Sequence, residues 1–287
     1  MRSGFIAVAG RPNVGKSTLL NALTGEHIAI VSNVPHTTRH RIRGILTTPE
    51  AQLVIVDLPG WQRPIDTLTE RMQGRVDDAM TDDLDAVMLV VNARERIGAG
   101  DKFVARRVFS LGIPVVIVVN KVDRLKAGHV VAQMKVAAEL GDFHALHPVS
   151  AKTGDGIAEL REDLVSLLPE GPLYYPVGEV TDMPLEARIA ELVREQALRL
   201  LKEEVPHSVT AEVVEIDEHR VHVRLYTETE SQKMILIGKG GSMVREIGRR
   251  ARPAIEKLVG HAIYLELQVK SSPKWRRNET MLERLGL

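Results

Sequence analysis

The 287-residue sequence contains no cysteine. That excludes a disulfide framework and every thiolate metal centre, zinc fingers included, and it suits a reducing compartment. No apolar run reaches the length needed to cross a bilayer, and the opening MRSGFIAVAG is too short for a signal-peptide core and ends in a glycine-rich turn. A cytoplasmic location is the expectation. Net charge is missing as well, since 38 Lys and Arg balance 38 Asp and Glu. A zero sum speaks against nucleic-acid binding only when charge is evenly spread. Here it is not: between Lys233 and Arg277, eleven Lys and Arg face only Glu246, Glu256 and Glu266. The remaining composition, 44% hydrophobic and 26% charged, is that of a globular protein, and the length suits two cores of unequal size.

Short β-branched runs alternate with helical patterns through the first half. Phe5 to Ala9, Leu53 to Val56, Ala86 to Val91 and Pro114 to Val119 read as buried strands, with Ile42 to Thr48 as an antiparallel edge. Near-continuous apolar strands joined by helices imply an α/β fold with a mostly parallel sheet, and such folds bind ligands at the carboxyl ends of their strands. The stretch PEGPLYYPVGEVTDMP, Pro169 to Pro184, breaks the periodicity. It sets the expected organisation: a first domain over 1–170, a linker over 171–184 in which Tyr174 and Tyr175 pack the domains together, and a second domain over 185–287. The second domain reads as a helix over 185–204, strands over 208–216 and 220–227, helices reaching Leu258, and a strand over 263–269. Its order is α-β-β-α-α-β.

Directly after the first strand stands Gly10-Arg-Pro-Asn-Val-Gly15-Lys16-Ser17, followed by helical TLLNAL. Glycines let the backbone turn so that amide N–H groups converge on phosphate oxygens, and the helix N-terminus adds a favourable dipole. Lys16 would reach the β- and γ-phosphates and the Ser17 hydroxyl would ligate Mg²⁺, with Asn13, Val14 and Thr18 completing the cradle. Asp57-Leu58-Pro59-Gly60 lies at the end of a later strand, where the carboxylate would hold Mg²⁺ through water and the Gly60 N–H would sense the γ-phosphate.

Asn120-Lys121-Val122-Asp123 follows another strand end and selects the base. The Asp123 carboxylate can accept from both the ring N–H and the exocyclic amine of guanine, a donor pair that adenine lacks. Ser150-Ala151-Lys152 would offer the Ala151 N–H to the guanine carbonyl. A threonine that closes on Mg²⁺ when GTP is bound is expected in Pro35-His36-Thr37-Thr38-Arg39-His40-Arg41; Thr38 is favoured, with Thr37 as rival. The pairs His36 and His40, and His219 and His222, have spacings open to a metal, but no third ligand accompanies either pair in sequence, and zinc is not expected. After Gly60 comes Trp61, whose indole cannot act as a general base.

Gly238-Lys239-Gly240-Gly241 sits between the apolar MILI and an arginine-rich helical stretch. This matches the G-x-x-G loop that clamps the backbone of about four nucleotides in KH domains. Lys239, Arg245, Lys274, Arg276 and Arg277 are the candidate phosphate contacts beside the glycines. For Trp275, direct RNA contact and burial in a groove both remain open.

The four strings of the first half resemble the phosphate, magnesium and guanine motifs of translation-factor-like P-loop GTPases. Joined to a type II KH domain, and with the VTDMP, EEVPHS and VKSSPKWRRNETMLERLGL segments, the whole chain resembles the bacterial Era family. Leu58 departs from the threonine that the family commonly has there. The resemblance implies a monomeric ribosome-assembly GTPase that engages the 3′ end of small-subunit ribosomal RNA and associates peripherally with the inner membrane. With Trp61 after Gly60 and Asn13 in the phosphate loop, the chain also resembles GTPases that have a hydrophobic residue and an asparagine at these places, and that resemblance implies that Asn13 helps a potassium ion sit where other systems place an arginine finger. The alternative function is an RNA-binding protein whose GTP is structural and never turned over.

Overall fold

A computed structural model describes residues 1–32, 34, 37–61, 64–79, 83–202 and 205–287. Pro35 and His36, named above in the threonine loop and as a possible metal ligand, lie outside the described residues. The chain divides into two compact units, one of residues 1–29, 38–63 and 71–182, the other of residues 30–37, 64–70 and 183–287.

In the first unit, β1 (Arg2–Ala9), β2 (Ile42–Thr47), β3 (Ala51–Asp57), β4 (Ala86–Asn92), β5 (Val115–Asn120) and β6 (Ala145–Val149) form one sheet in the order β2-β3-β1-β4-β5-β6. All neighbours are parallel except β2 and β3. The strands at the centre read as they fold: β3, β4 and β5 are buried at every position, as a sheet covered on both faces requires. Helices α1 (Lys16–Thr24), α2 (Thr67–Ala79), α3 (Ala99–Phe109), α4 (Ala127–Ala138) and α5 (Ile157–Ser166) fall between or after the strands. The order 2-3-1-4-5-6 brings the carboxyl ends of β1, β3, β4 and β5 to one side, and residues 10–17, 57–60 and 120–123 leave from those ends.

Tyr174 and Tyr175 pack on this first unit. Both backbone N–H groups donate to Gln52 Oε1, at 2.8 and 3.0 Å, and the Tyr174 ring meets Phe5 edge-on at 4.7 Å between centroids. The Gln52 amide, fully buried in β3, is thereby satisfied by backbone of residues 174 and 175.

The second unit contains α6 (Leu185–Leu200), α7 (Val205–Ser208), β7 (Thr210–Ile216), β8 (Arg220–Thr227), α8 (Glu230–Ile237), α9 (Ser242–Val259), β9 (Tyr264–Ser271) and α10 (Glu279–Arg284). Its sheet runs β7-β8-β9, antiparallel between β7 and β8 and parallel between β8 and β9. A parallel pair needs a crossover, and α8 and α9 supply it. Thr229 and Gln232 start α8 reciprocally: the Gln232 N–H donates to Thr229 Oγ1 and the Thr229 N–H to Gln232 Oε1, both at 3.2 Å. Helix α6 stops earlier than its periodicity predicts. Leu201 leaves the helix in extended conformation and is buried with Val205, so tertiary burial overrides helical propensity there. Trp275 is fully buried, and its Nε1–H donates to the Ser208 carbonyl at 2.8 Å. The indole belongs to the core and not to an RNA-contacting surface.

Candidate functional site: a phosphate and guanine pocket and an arginine-lined groove

Positive φ at Gly10 (156°), Asn13 (62°) and Gly15 (102°) wraps residues 10–15 into a loop that ends on α1. Position 15 admits nothing larger than glycine, because a Cβ would stand 2.3 Å from Asn120 Nδ2. Lys16 lies inside the loop, where its Nζ donates to the Gly10 and Arg11 carbonyls at 3.2 Å. Burial pushes the Lys16 ammonium below its ordinary pKa, and the Asp57 charge opposes that shift.

Beside it, the Ser17 hydroxyl donates to Asp57 Oδ2 at 2.7 Å and lies 2.9 Å from Thr38 Oγ1, which is itself 3.4 Å from Asp57 Oδ2. Asp57 has no exposed surface, and burial raises its pKa against the opposing effects of Lys16, Ser17 and Thr38. Its other oxygen, Oδ1, is buried without a hydrogen-bond partner among the described residues. An orphaned carboxylate oxygen next to two hydroxyls is a donor set that fits a hard cation such as Mg²⁺. Of the two rival threonines, Thr38 is at this cluster. The Thr37 hydroxyl donates to the Val34 carbonyl at 2.6 Å and meets Ser32 Oγ at 2.7 Å.

Asn120 joins the phosphate loop to the loops at the ends of β5 and β6. Its Nδ2 donates to the Val14 carbonyl at 3.0 Å, and its Oδ1 accepts from the Lys121 N–H at 2.8 Å and the Ala151 N–H at 3.1 Å. The Ala151 N–H expected to face a guanine carbonyl is thus directed at Asn120 here. Lys121, at φ 71°, reaches back so that Nζ donates to the Asn13 carbonyl. Asp123 accepts from Ser150 Oγ at 3.2 Å, and its carboxylate keeps 14% exposure. Residues 10–18, 57, 120–123 and 150–151 therefore converge on one end of the sheet, while the Lys152 side chain is exposed.

Gly60 lies against the phosphate loop, since a Cβ there would stand 3.0 Å from Pro12. Trp61 packs instead against the core around β4 and α3, and its Nε1 has no hydrogen-bond partner among the described residues. Sequence reasoning missed Arg11, whose Nε donates to Asp101 Oδ1 at 2.8 Å and whose Nη2 donates to Glu95 Oε2 at 2.9 Å. No local pattern links partners 84 and 90 residues apart.

In the second unit Gly238, Lys239, Gly240 and Gly241 form the turn between α8 and α9, with φ of 73° at Gly238, 58° at Gly240 and 78° at Gly241. The Arg245 guanidinium donates to the Gly240 carbonyl at 2.8 Å, and Lys239 is exposed. Alongside runs a groove of about 500 Å³ between α9 and β9, lined by Val244, Arg245, Gly248, Arg249, Arg252 and residues 264–267. Arginines at 245, 249 and 252 share one helix face, a spacing visible in the sequence though not used above. Glu246 is matched internally by Arg249 and Arg250, whose hydrogen bonds hold its carboxyl down at about 2. Lys274 and Arg277 are exposed. Arg276, expected among the phosphate contacts, is ion-paired to Asp66 at 2.7 Å and keeps 18% side-chain exposure.

A sheet of order 2-3-1-4-5-6 with a glycine-rich phosphate loop after β1, together with an α-β-β-α-α-β unit carrying a G-x-x-G turn, defines a P-loop GTPase joined to a KH domain. Residues 5–121 match the family described as 50S ribosome-binding GTPase, and residues 199–276 match the KH domain. GTPase Era of Mycolicibacterium smegmatis is 42% identical over 295 residues, spanning 99% of this chain and 98% of its own. GTPase Era of Heliobacterium modesticaldum is 41% identical over 291 residues, 100% of this chain and 97% of its own. The crystal structure of an Aquifex aeolicus Era variant bound to GDP·AlF4⁻ superposes with a TM-score of 0.95 at 34% identity, covering 100% of this chain and 99% of that one. Era in complex with MgGDPNP and nucleotides 1506–1542 of 16S ribosomal RNA matches with the same score, identity and coverage. The chain belongs to the Era family of GTPases. Membership makes it a GTP hydrolase, and the alternative of a GTP that is never turned over falls. Among the described residues no helix is long and apolar enough to cross a membrane.

Proposed function

We propose that this chain hydrolyses GTP in the pocket built by residues 10–18, 38, 57–60, 120–123 and 150–151, and grips single-stranded ribosomal RNA in the groove beside Gly238–Gly241. The RNA is the 3′ end of small-subunit ribosomal RNA, and the setting is assembly of that subunit. The observation that carries the reading is the Ser17–Thr38–Asp57 cluster with its unpartnered carboxylate oxygen, in the same chain as a glycine turn that opens onto an arginine-lined groove. Support for the RNA comes from the relative whose complex holds nucleotides 1506–1542 of 16S ribosomal RNA.

Ser17, Thr38 and Asp57 would hold Mg²⁺, which would supply positive charge to neutralise the charge that develops on the phosphate. Thr38, and not Thr37, is the switch ligand. Lys16 neutralises charge on the phosphates, and the residue 10–15 amides fix the triphosphate in line for attack. Asp123 selects guanine. Trp61 is packed against the core and its indole is no general base, so Asn13 would help hold a potassium ion, which would supply positive charge to the site. Turnover in potassium is accordingly expected to exceed turnover in sodium about 10²-fold, the lower end of the range for one preorganised stabilising partner, and Asn13→Ala to erase the difference. Equal rates in the two salts would remove the potassium step.

Glycines 240 and 241 have open space around their Cβ positions, and aspartate tolerates positive φ. Gly240→Asp with Gly241→Asp should therefore fold while placing two negative charges where phosphates sit. Affinity for a single-stranded oligonucleotide of the 16S 3′ end is expected to drop at least ~10-fold, with a shallower salt dependence, and GTP turnover without RNA to stay unchanged. Undiminished RNA affinity would remove the groove from the proposal.

A further inference from the structure

Arg11 belongs to the phosphate loop, but its guanidinium is held outside that loop by the first turn of α3. Asp101 is buried at 3% exposure and does two things there: Oδ1 accepts from Arg11 Nε at 2.8 Å, and Oδ2 accepts from the Gly98 N–H at 2.9 Å, which starts the helix. The Arg11 stem lies so close to the helix that a Cβ on Gly100 would stand 2.6 Å from Arg11 Cδ. The hydrogen bond to Asp101 raises the Arg11 pKa. At the other end of the same helix, Arg107 stands with Cζ 5.7 Å from the Trp61 ring centroid and 5.2 Å from that of Phe103. Its Nη1 also donates to Asp77 Oδ1 of α2 at 2.9 Å.

An α-helix of 11 residues is a stiff rod of about 16 Å. Its first turn is fastened to the phosphate loop and its last turn to the residue that follows Gly60. We propose that α3 is a strut that keeps the phosphate loop and the Asp57–Gly60 loop in register for GTP hydrolysis, with Arg11 and Arg107 as its positioning residues. The proposal rests on the reading of those two loops given above. Arg11 carries the larger share. Its partner is a buried carboxylate that would be left with an unpaired oxygen, whereas Arg107 and Asp77 are about half exposed and their ion pair is screened.

The test is steady-state turnover and GDP affinity for Arg11→Ala, Arg107→Ala, the double variant, Arg11→Lys and Asp101→Asn, with thermal melting as the control for folding. Arg11→Ala is expected to lower kcat about 10-fold, because small misplacements of reacting groups cost that much or more, while GDP affinity changes less than about 3-fold. Arg107→Ala should cost about 2- to 5-fold in kcat, as an exposed cation over an aromatic ring allows. The double variant should lose less than the product of the two, since releasing one end of a strut already frees the other. Arg11→Lys should recover part of the rate. Asp101→Asn keeps the cap to Gly98 and removes the charge facing Arg11, so it should behave as Arg11→Ala does even if that variant folds poorly. Unchanged kcat in Arg11→Ala and Asp101→Asn, losses that multiply in the double variant, or GDP affinity falling in step with kcat would each overturn the strut. If the unaltered protein failed to bind GDP, the pocket reading would fall instead.

Discussion

Asp123→Asn should weaken GTP binding by about 10³-fold or more and make xanthosine triphosphate the better ligand, because a site built on paired hydrogen bonds rejects the wrong edge by factors of that order. Guanine presents two donors, its ring N–H and exocyclic amine, and a carboxylate accepts both. A carboxamide at position 123 turns one acceptor into a donor, which opposes the amine of guanine and matches the carbonyl that xanthine has there. The side chain is placed for this exchange: Asp123 stands on the turn Val122–Arg124 with one oxygen toward Ser150, and its carboxylate is 14% exposed. Competition titration against a fluorescent GDP measures both affinities. An unaltered preference for GTP over the xanthosine nucleotide would move base selection to another residue.

The second large effect is expected at Asp57. Asp57→Asn keeps the size of the side chain and an acceptor for the Ser17 hydroxyl, but it removes the negative charge from a position with no solvent access. Turnover at saturating GTP should fall about 10²- to 10³-fold, the range for loss of one preorganised electrostatic partner. The Mg²⁺ concentration giving half-maximal rate should rise. Binding of GDP should suffer less, because the guanine and phosphate contacts of residues 120–123 and 10–17 lie elsewhere. A variant with undiminished rate and the same Mg²⁺ dependence would mean that Asp57 does not face the ion.

Much of this was legible because the chemistry is local. Each motif occupies a few consecutive residues, and each begins where an apolar strand stops, so the strand pattern and the motif check one another. The G-x-x-G turn was legible for the same reason, being bounded by MILI and by the arginines of α9. What escaped the sequence was the set of bonds that tie these pieces together. Arg11 to Asp101 and Asn120 to Val14 span 90 and 106 residues, and nothing local distinguishes those side chains from solvated ones. The early stop of α6 escaped because helical propensity favours continuing through Lys202, whereas burial of Leu201 and Val205 favours leaving. The ion pair of Arg276 with Asp66 is likewise invisible in a basic run, because its partner lies 210 residues away.

The burial of Trp275 bears on how the chain can be trimmed. Its indole, the fully covered Leu282 and the nearly covered Leu287 are all buried near the carboxyl end of the chain. Clipping the last 13 residues, Trp275 to Leu287, would remove these buried side chains and strip the Ser208 carbonyl of its indole donor. Weak RNA capture by such a shortened chain would report a loosened scaffold before it reported any missing fingertip on the nucleic acid.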